Sequence, residues 1–344
     1  MKNRVVGLLI LILIVFAACD FFDSSAADEA ILAADRDNSL DNDFWERKTT
    51  FPGEKRANAV LFERDGLIYY GLGHHEDDNA LIDMWTYDPD TESWVELDIS
   101  PPARGDDSCT IYEYNNYVYI VEGWNHDTVW EYDVDAASIT LSTLNFSIIS
   151  EEGLTSAWTD SLVLFGTASY GNYEWWSYSP STESLEMTKE SSLTENYGLR
   201  SPAFFTIGDD IYTGGGKCPV DQSEDADDDG VETTAVLDFY KFDTLTENWS
   251  EIASLPESAG WVGKGFAIDG TGYVLDEYGK LFSYSTANDE WTELAAFPDD
   301  YPLDYHNSTF VVCNGSAYFL RQWMGFGDGL WPGNFSGYLY KYTP

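Results

Sequence analysis

From about residue 45 onward, the chain alternates short apolar runs with clusters of Gly, Asp, Asn and Pro. Ala59-Val60-Leu61-Phe62 leads into the turn Glu63-Arg64-Asp65-Gly66, and Leu67-Ile68-Tyr69-Tyr70-Gly71 follows. Met84-Trp85-Thr86-Tyr87 and Ser93-Trp94-Val95-Glu96-Leu97 complete a set of four. Runs this short, rich in aromatic and β-branched residues and bounded by turn formers, predict antiparallel strands. Nothing between residues 45 and 344 has the length and period of a long amphipathic helix. The first two strands of the set recur as hairpins at 108–114 with 117–121, 155–158 with 162–166, and 202–207 with 210–214. Two more lie at 265–268 with 272–275 and at 308–313 with 316–320.

The last two strands of each set are joined by a recurring link. Tyr87-Asp88-Pro89-Asp90-Thr91-Glu92-Ser93-Trp94 places an aromatic seven residues before a Trp, with a polar turn between. Phe242 to Trp249 and Tyr284 to Trp291 have the same form, and Tyr178 to Leu185 keeps it with Leu in the Trp place. Tyr132 opens a weaker copy and Tyr342 one cut short. The six anchors are spaced by 45, 46, 64, 42 and 58 residues, the period of a propeller blade with two insertions. The sixth set ends after its third strand. The run Asp43-Phe44-Trp45-Glu46-Arg47-Lys48, with Phe51-Pro52 after it, matches the fourth strand and exit at Trp291 to Pro298. The expected fold is all-β: a six-bladed propeller with four antiparallel strands per blade, closed by a strand around Trp45 in the last blade.

Arg56, Asp65-Gly66, Tyr69, Gly71, Tyr87 and Trp94 together resemble the Kelch repeat, and the resemblance extends over residues 45–344. A Gly pair of that repeat survives fully only at Gly214-Gly215. The resemblance implies a Kelch-type propeller and is nearly silent on activity.

The residues before the propeller read as an address. Lys2 and Arg4 precede an apolar run over 5–16, too short for a comfortable membrane span, and Phe16-Ala17-Ala18-Cys19 resembles a bacterial lipobox. Residues 1–18 are expected to be a signal peptide, with Cys19 the lipidated mature N-terminus. Residues 19–43, rich in Asp, Ala, Ser and Asn, form an acidic tether, and 44–344 form the propeller. The expected location is the bacterial envelope, on the outer or inner membrane, with the domain facing periplasm or exterior. A net charge of −44, from 17 basic and 61 acidic residues, argues against nucleic acid as partner and suits salty surroundings. Without Cys19, three cysteines remain, too few for a complete disulfide framework; Cys109 and Cys313 fall in predicted inner strands as small buried hydrophobes.

In a four-stranded antiparallel blade, the d–a and b–c connections emerge on one face. All four His residues fall there: His74, His75, His126 and His306. So do the basic residues heading strand a, namely Arg56, Arg104, Arg200 and Lys264. They predict a partial basic ring at the channel mouth, suited to a carboxylate, a sulfate or a sugar acid. The alternative for each Arg is to brace neighbouring loops by bonding their carbonyls. Arg here resembles the residues with which Kelch adaptor proteins grip acidic peptides. In the fourth blade's b–c loop, Asp225, Asp227, Asp229 and Glu232 surround Gly230, a pattern that can fold carboxylates around Ca²⁺. The EF-hand's twelfth-position Glu is absent, since Val236 stands there. No Gly-x-Ser-x-Gly, His-Glu-x-x-His or phosphate loop occurs. The expected function is that of a monomeric, non-enzymatic binding or scaffold module for an envelope protein or glycan. The alternative is a carbohydrate-active enzyme of epimerase or oxidase type, activities that occur on Kelch propellers, using the same mouth.

Overall fold

In a computed structural model, residues 44–56, 58–73, 80–99, 109–122, 128–146, 154–169, 172–190, 201–220, 232–298, 308–321 and 337–344 are described. They contain strands and turns and no helix. Six four-stranded antiparallel sheets form the blades of a β-propeller. Strands a to d of blade one are Val60–Arg64, Leu67–Gly71, Met84–Asp88 and Ser93–Glu96. Blade two follows with Thr110–Tyr114, Tyr117–Val121, Val129–Asp133 and Ser138–Leu141, and blade three with Thr155–Trp158, Val163–Ser169, Asn172–Ser179 and Ser184–Glu190. Blade four has Ala203–Ile207, Asp210–Gly214, Phe239–Asp243 and Asn248–Ile252, and blade five Val262–Ile268, Thr271–Asp276, Leu281–Ser285 and Glu290–Glu293. Blade six takes Ser308–Cys313, Ser316–Arg321 and Tyr338–Tyr342 from the end of the chain and Trp45–Thr50 from its beginning. The closing strand pairs Trp45 with Tyr342 and Arg47 with Tyr340.

Local chemistry explains the repeat. Asp65-Gly66, Asp269-Gly270 and Asn314-Gly315 all have positive φ, the two-residue hairpin turn whose twist suits flanking strands. In the c–d turns a carboxylate caps the backbone: Asp88 accepts from the amide of Asp90 at 2.8 Å, and Asp243 from those of Leu245 and Thr246 at 3.0 Å. The turn then delivers the strand-d Trp directly opposite the strand-c anchor. Tyr87 faces Trp94, Phe242 faces Trp249, and Tyr284 faces Trp291, with ring centroids 5.1, 4.9 and 5.0 Å apart.

Where strand d carries a Trp, that Trp also binds its blade to the one before it. Trp291 of blade five lies 4.8 Å from Phe239 of blade four, and its indole N–H donates to the Ala253 carbonyl at 2.8 Å. Trp249 of blade four lies 5.4 Å from Trp175 of blade three. At the closure, buried Trp45 meets Phe297 edge to face at 4.9 Å. The core is thus a set of apolar seams between sheets rather than one central mass.

Two expectations need correction. The b–c connection of blade four is not loop throughout: Lys217–Pro219 pairs with Thr233–Ala235 as a small hairpin of its own. Cys313 is buried within its strand, but Cys109 lies just ahead of strand a and is only half-buried. Among the described residues, no disulfide joins the cysteines.

Candidate ligand-binding face

The antiparallel order of every blade puts the d–a links and b–c loops at one end of the propeller. Arg56 lies in the link between blades six and one, four residues before strand a rather than on it. Its side chain is fully buried. The guanidinium makes a two-pronged pair with the Asp83 carboxylate, both bonds 2.7 Å, and donates to the carbonyls of Leu72 and Glu54 at 3.1 Å. It also lies over the rings of Phe51 and Tyr70, at 5.1 and 5.6 Å. Of the two roles considered for this arginine, these contacts are those of the brace. Burial alone would raise the Asp83 pKa, but the hydrogen bonds and charge of Arg56, helped by the Trp85 indole N–H, hold it below the usual carboxylate value.

The Asp83 half of the pair lies in the wall of an open groove of about 510 Å³ over blade one. Pro52, Gly53 and Glu54 line it from the link, and Leu81, Ile82 and Asp83 from the b–c loop. Trp85 and Glu96 complete it from strands c and d. The Trp85 indole is fixed by a 2.6 Å bond to Asp83, and Ile82 stays 47% exposed. With Arg56 neutralised by Asp83, the remaining charges of the described lining are Glu54 and Glu96. The described lining of this groove is therefore acidic around an aromatic. Such a surface offers a stacking platform and carboxylate acceptors, a combination that suits hydroxyl-rich or cationic groups better than anions.

Across the same face, Lys264 stands on strand a of blade five, half-buried and paired with Leu275. Two residues ahead of that strand's bulge is Trp261, with the Lys217 ammonium 4.9 Å from its ring. Nearby, the fully buried Asp276 carboxylate accepts from the backbone amides of Gly260, Tyr278 and Lys280. That carboxylate pins a loop and is not presented to solvent. Glu232 is exposed at the loop end of the small blade-four hairpin, where its carbonyl accepts from the Val220 amide. Arg104, Arg200, His74, His126, His306, Asp225, Asp227, Asp229 and Cys19 lie outside the described residues. Among the described residues, no three His, Cys, Asp or Glu side chains converge as a metal set.

Sequence reasoning passed over Trp85 and Lys217. For Trp85 a signal existed. An aromatic stands two residues before every anchor, as Trp85, Trp130, Trp176, Tyr240, Phe282 and Tyr340. Lys217 carried none, because its neighbour Trp261 is distant in the chain.

One of the solved structures similar to this chain is titled the structure of YjhT. It aligns with a TM-score of 0.56 and 12% identity, covering 72% of this chain and 86% of that one. The likeness is one of fold. In all, 1060 chains of solved structures match, a breadth that ties the resemblance to architecture and to no single activity. No family model matches the chain. No curated protein matches it either.

Proposed function

We propose that this chain is a Kelch-type, non-enzymatic binding module, held at the bacterial envelope by lipid on Cys19, that recognises a glycan or a glycan-bearing protein through its d–a/b–c face. The observation that carries the reading is the groove over blade one. It is open, holds a fixed indole, and has free carboxylates beside it, while the strongest cation nearby is already engaged by Asp83. A sugar ring would lie against Trp85 and donate its hydroxyls to Glu54 and Glu96. The Kelch assignment rests on the recurring aromatic-to-Trp link and the fold likeness. Asp225, Asp227 and Asp229, together with Glu232, would hold Ca²⁺.

The test is a glycan array followed by calorimetry on the strongest hit, comparing wild type with Ile82→Asp and Glu96→Gln. Both positions are exposed, so the fold should survive. Loss of about tenfold or more in affinity for either variant is expected, on the order of one charge-assisted hydrogen bond or one apolar contact. Binding unchanged in both would remove this groove from consideration.

A further inference from the structure

We propose that the seam between blades two and three is a second ligand site, one that takes a small protonated amine. Two departures from the repeat create it. First, the strand-d Trp that fills the seams at 249 and 291 is Leu185 in blade three, still opposite its anchor Tyr178. A cleft of about 160 Å³ opens in this seam, lined by that same Tyr178. Thr143 lines this cleft four residues after Ile139, the counterpart of Trp249, as Ala253 lies four residues after Trp249. The cleft is therefore where an indole bonded to that link would sit.

Second, four other blades pair an aromatic on strand a with one on strand b: Phe62 with Tyr69, Phe205 with Tyr212, Phe266 with Tyr273 and Phe310 with Phe319. The strand-a member is Phe in each. In blade two it is Tyr112, stacked on Tyr119 at 4.7 Å and 3°. The fold does not need the added hydroxyl, since Phe serves elsewhere. Tyr112 is fully buried and lines the cleft; its hydroxyl is turned toward Tyr178 without closing a hydrogen bond of acceptable geometry. A buried polar group in that state lacks the compensation that burial normally demands.

The remaining lining sets the ligand class. Tyr114, Tyr119 and Tyr178 contribute further hydroxyls, and Glu131 and Glu183 contribute carboxylates. Among the described residues, no Lys, Arg or His lines the cleft. Glu131 is held by Ser142, whose hydroxyl donates to it at 2.8 Å. Burial first, and then Glu131 and Glu183 among the nearby groups, raise the Tyr119 pKa, so both carboxylates act at one spot. Such a lining accepts hydrogen bonds and attracts positive charge. Stacking takes up one face of each of Tyr112 and Tyr119, and the carboxylates and hydroxyls of the lining residues are acceptors that favour an ammonium with N–H donors over a quaternary one. At about 30 Å³ per water-sized group, the cleft holds roughly five heavy atoms.

The probes are ethylammonium, tetramethylammonium and sodium chlorides at equal ionic strength, followed by calorimetry and by NMR of the full-length protein. Ethylammonium should bind saturably, and tetramethylammonium and sodium should not. Leu185→Trp, which restores the residue of blades one, four and five, should abolish binding without lowering the unfolding midpoint. Tyr112→Phe, the residue of four other blades, should weaken binding about tenfold, and Glu183→Gln on the exposed turn should do so as well. Ethylammonium that fails to saturate, or that binds Leu185→Trp as well as wild type, would overturn the proposal. Equal binding of tetramethylammonium would overturn the ligand class.

Discussion

Replacing Arg56 with alanine removes a fully buried guanidinium from a site that has no other cation among its described contacts. The arginine makes two 2.7 Å bonds to Asp83 and two 3.1 Å bonds to backbone carbonyls, and it lies over Phe51 and Tyr70. Breaking one side of a buried pair costs about 3–5 kcal/mol, largely because the partner is left charged in poor solvent. Asp83 remains 26% exposed and keeps its bond to Trp85, so the low end, about 3 kcal/mol, applies here. At about 2 °C per kcal/mol for a domain of this size, the thermal midpoint should fall by roughly 6 °C. Arg56→Lys keeps the charge but loses the fork and should fall by roughly half as much.

Acid supplies an independent check. A carboxyl held below its ordinary value stays ionised to lower pH in the folded than in the unfolded chain. Its contribution is complete above the unfolded pKa, near 3.8, and disappears as pH falls through the lower folded value. In Arg56→Ala/Asp83→Asn, that part of the acid slope should be missing. Denaturant unfolding from pH 7 down to pH 2 measures both effects. A change within about 0.5 kcal/mol for Arg56→Ala, the size of an ordinary surface substitution, would refute the bracing role. So would loss of ligand binding with stability intact.

Trp45→Ala should cost about 3–5 kcal/mol, because it empties the seam against Phe297 and Tyr342 and loosens the strand that closes the ring. The freed edge of blade six should also promote association, visible by size-exclusion chromatography; a monomer of wild-type stability would count against closure by this strand. For the Asp-rich segment 225–229, a chelator should lower the unfolding midpoint, added Ca²⁺ should restore it, and Asp227→Ala should remove the difference. Identical midpoints with and without chelator would dispose of the calcium reading.

The ring was legible because its signals are local and repeated. An aromatic, a capped turn and a Trp are seven residues apart because the hairpin places the first directly across from the last, as Tyr284 faces Trp291. Strand ends were less legible. Strand a of blade five begins at Val262 instead of 265, since a bulge between Val262 and Lys264 carries pairing past Gly263. The small hairpin of blade four was missed because three-residue strands such as Lys217-Cys218-Pro219 show no alternation to read. For Arg56 the sequence left a ligand-facing role and a bracing role open and did not show its partner. Its partner Asp83 lies 27 residues away, and a charge in the sequence does not announce what neutralises it.

Departures from the repeat are therefore informative only when the fold itself does not account for them. The Arg56 pair is a feature of blade one, yet carboxylate, carbonyls and rings close around it, and the surrounding links would loosen without it. Gly215 departs from ordinary backbone with φ +70, and the fold explains that as well: a Cβ there would strike the Val262 side chain. Tyr112 is different. Its ring does what Phe does in four sister blades, while burial drives its hydroxyl pKa far upward, so it stays a neutral donor and acceptor at any ordinary pH. A hydroxyl that packing does not require, turned toward Tyr178 at a cleft whose lining also carries two carboxylates, has its explanation outside the propeller's own stability. Leu185→Trp separates the two causes, because it mends the repeat and closes the cleft in one substitution.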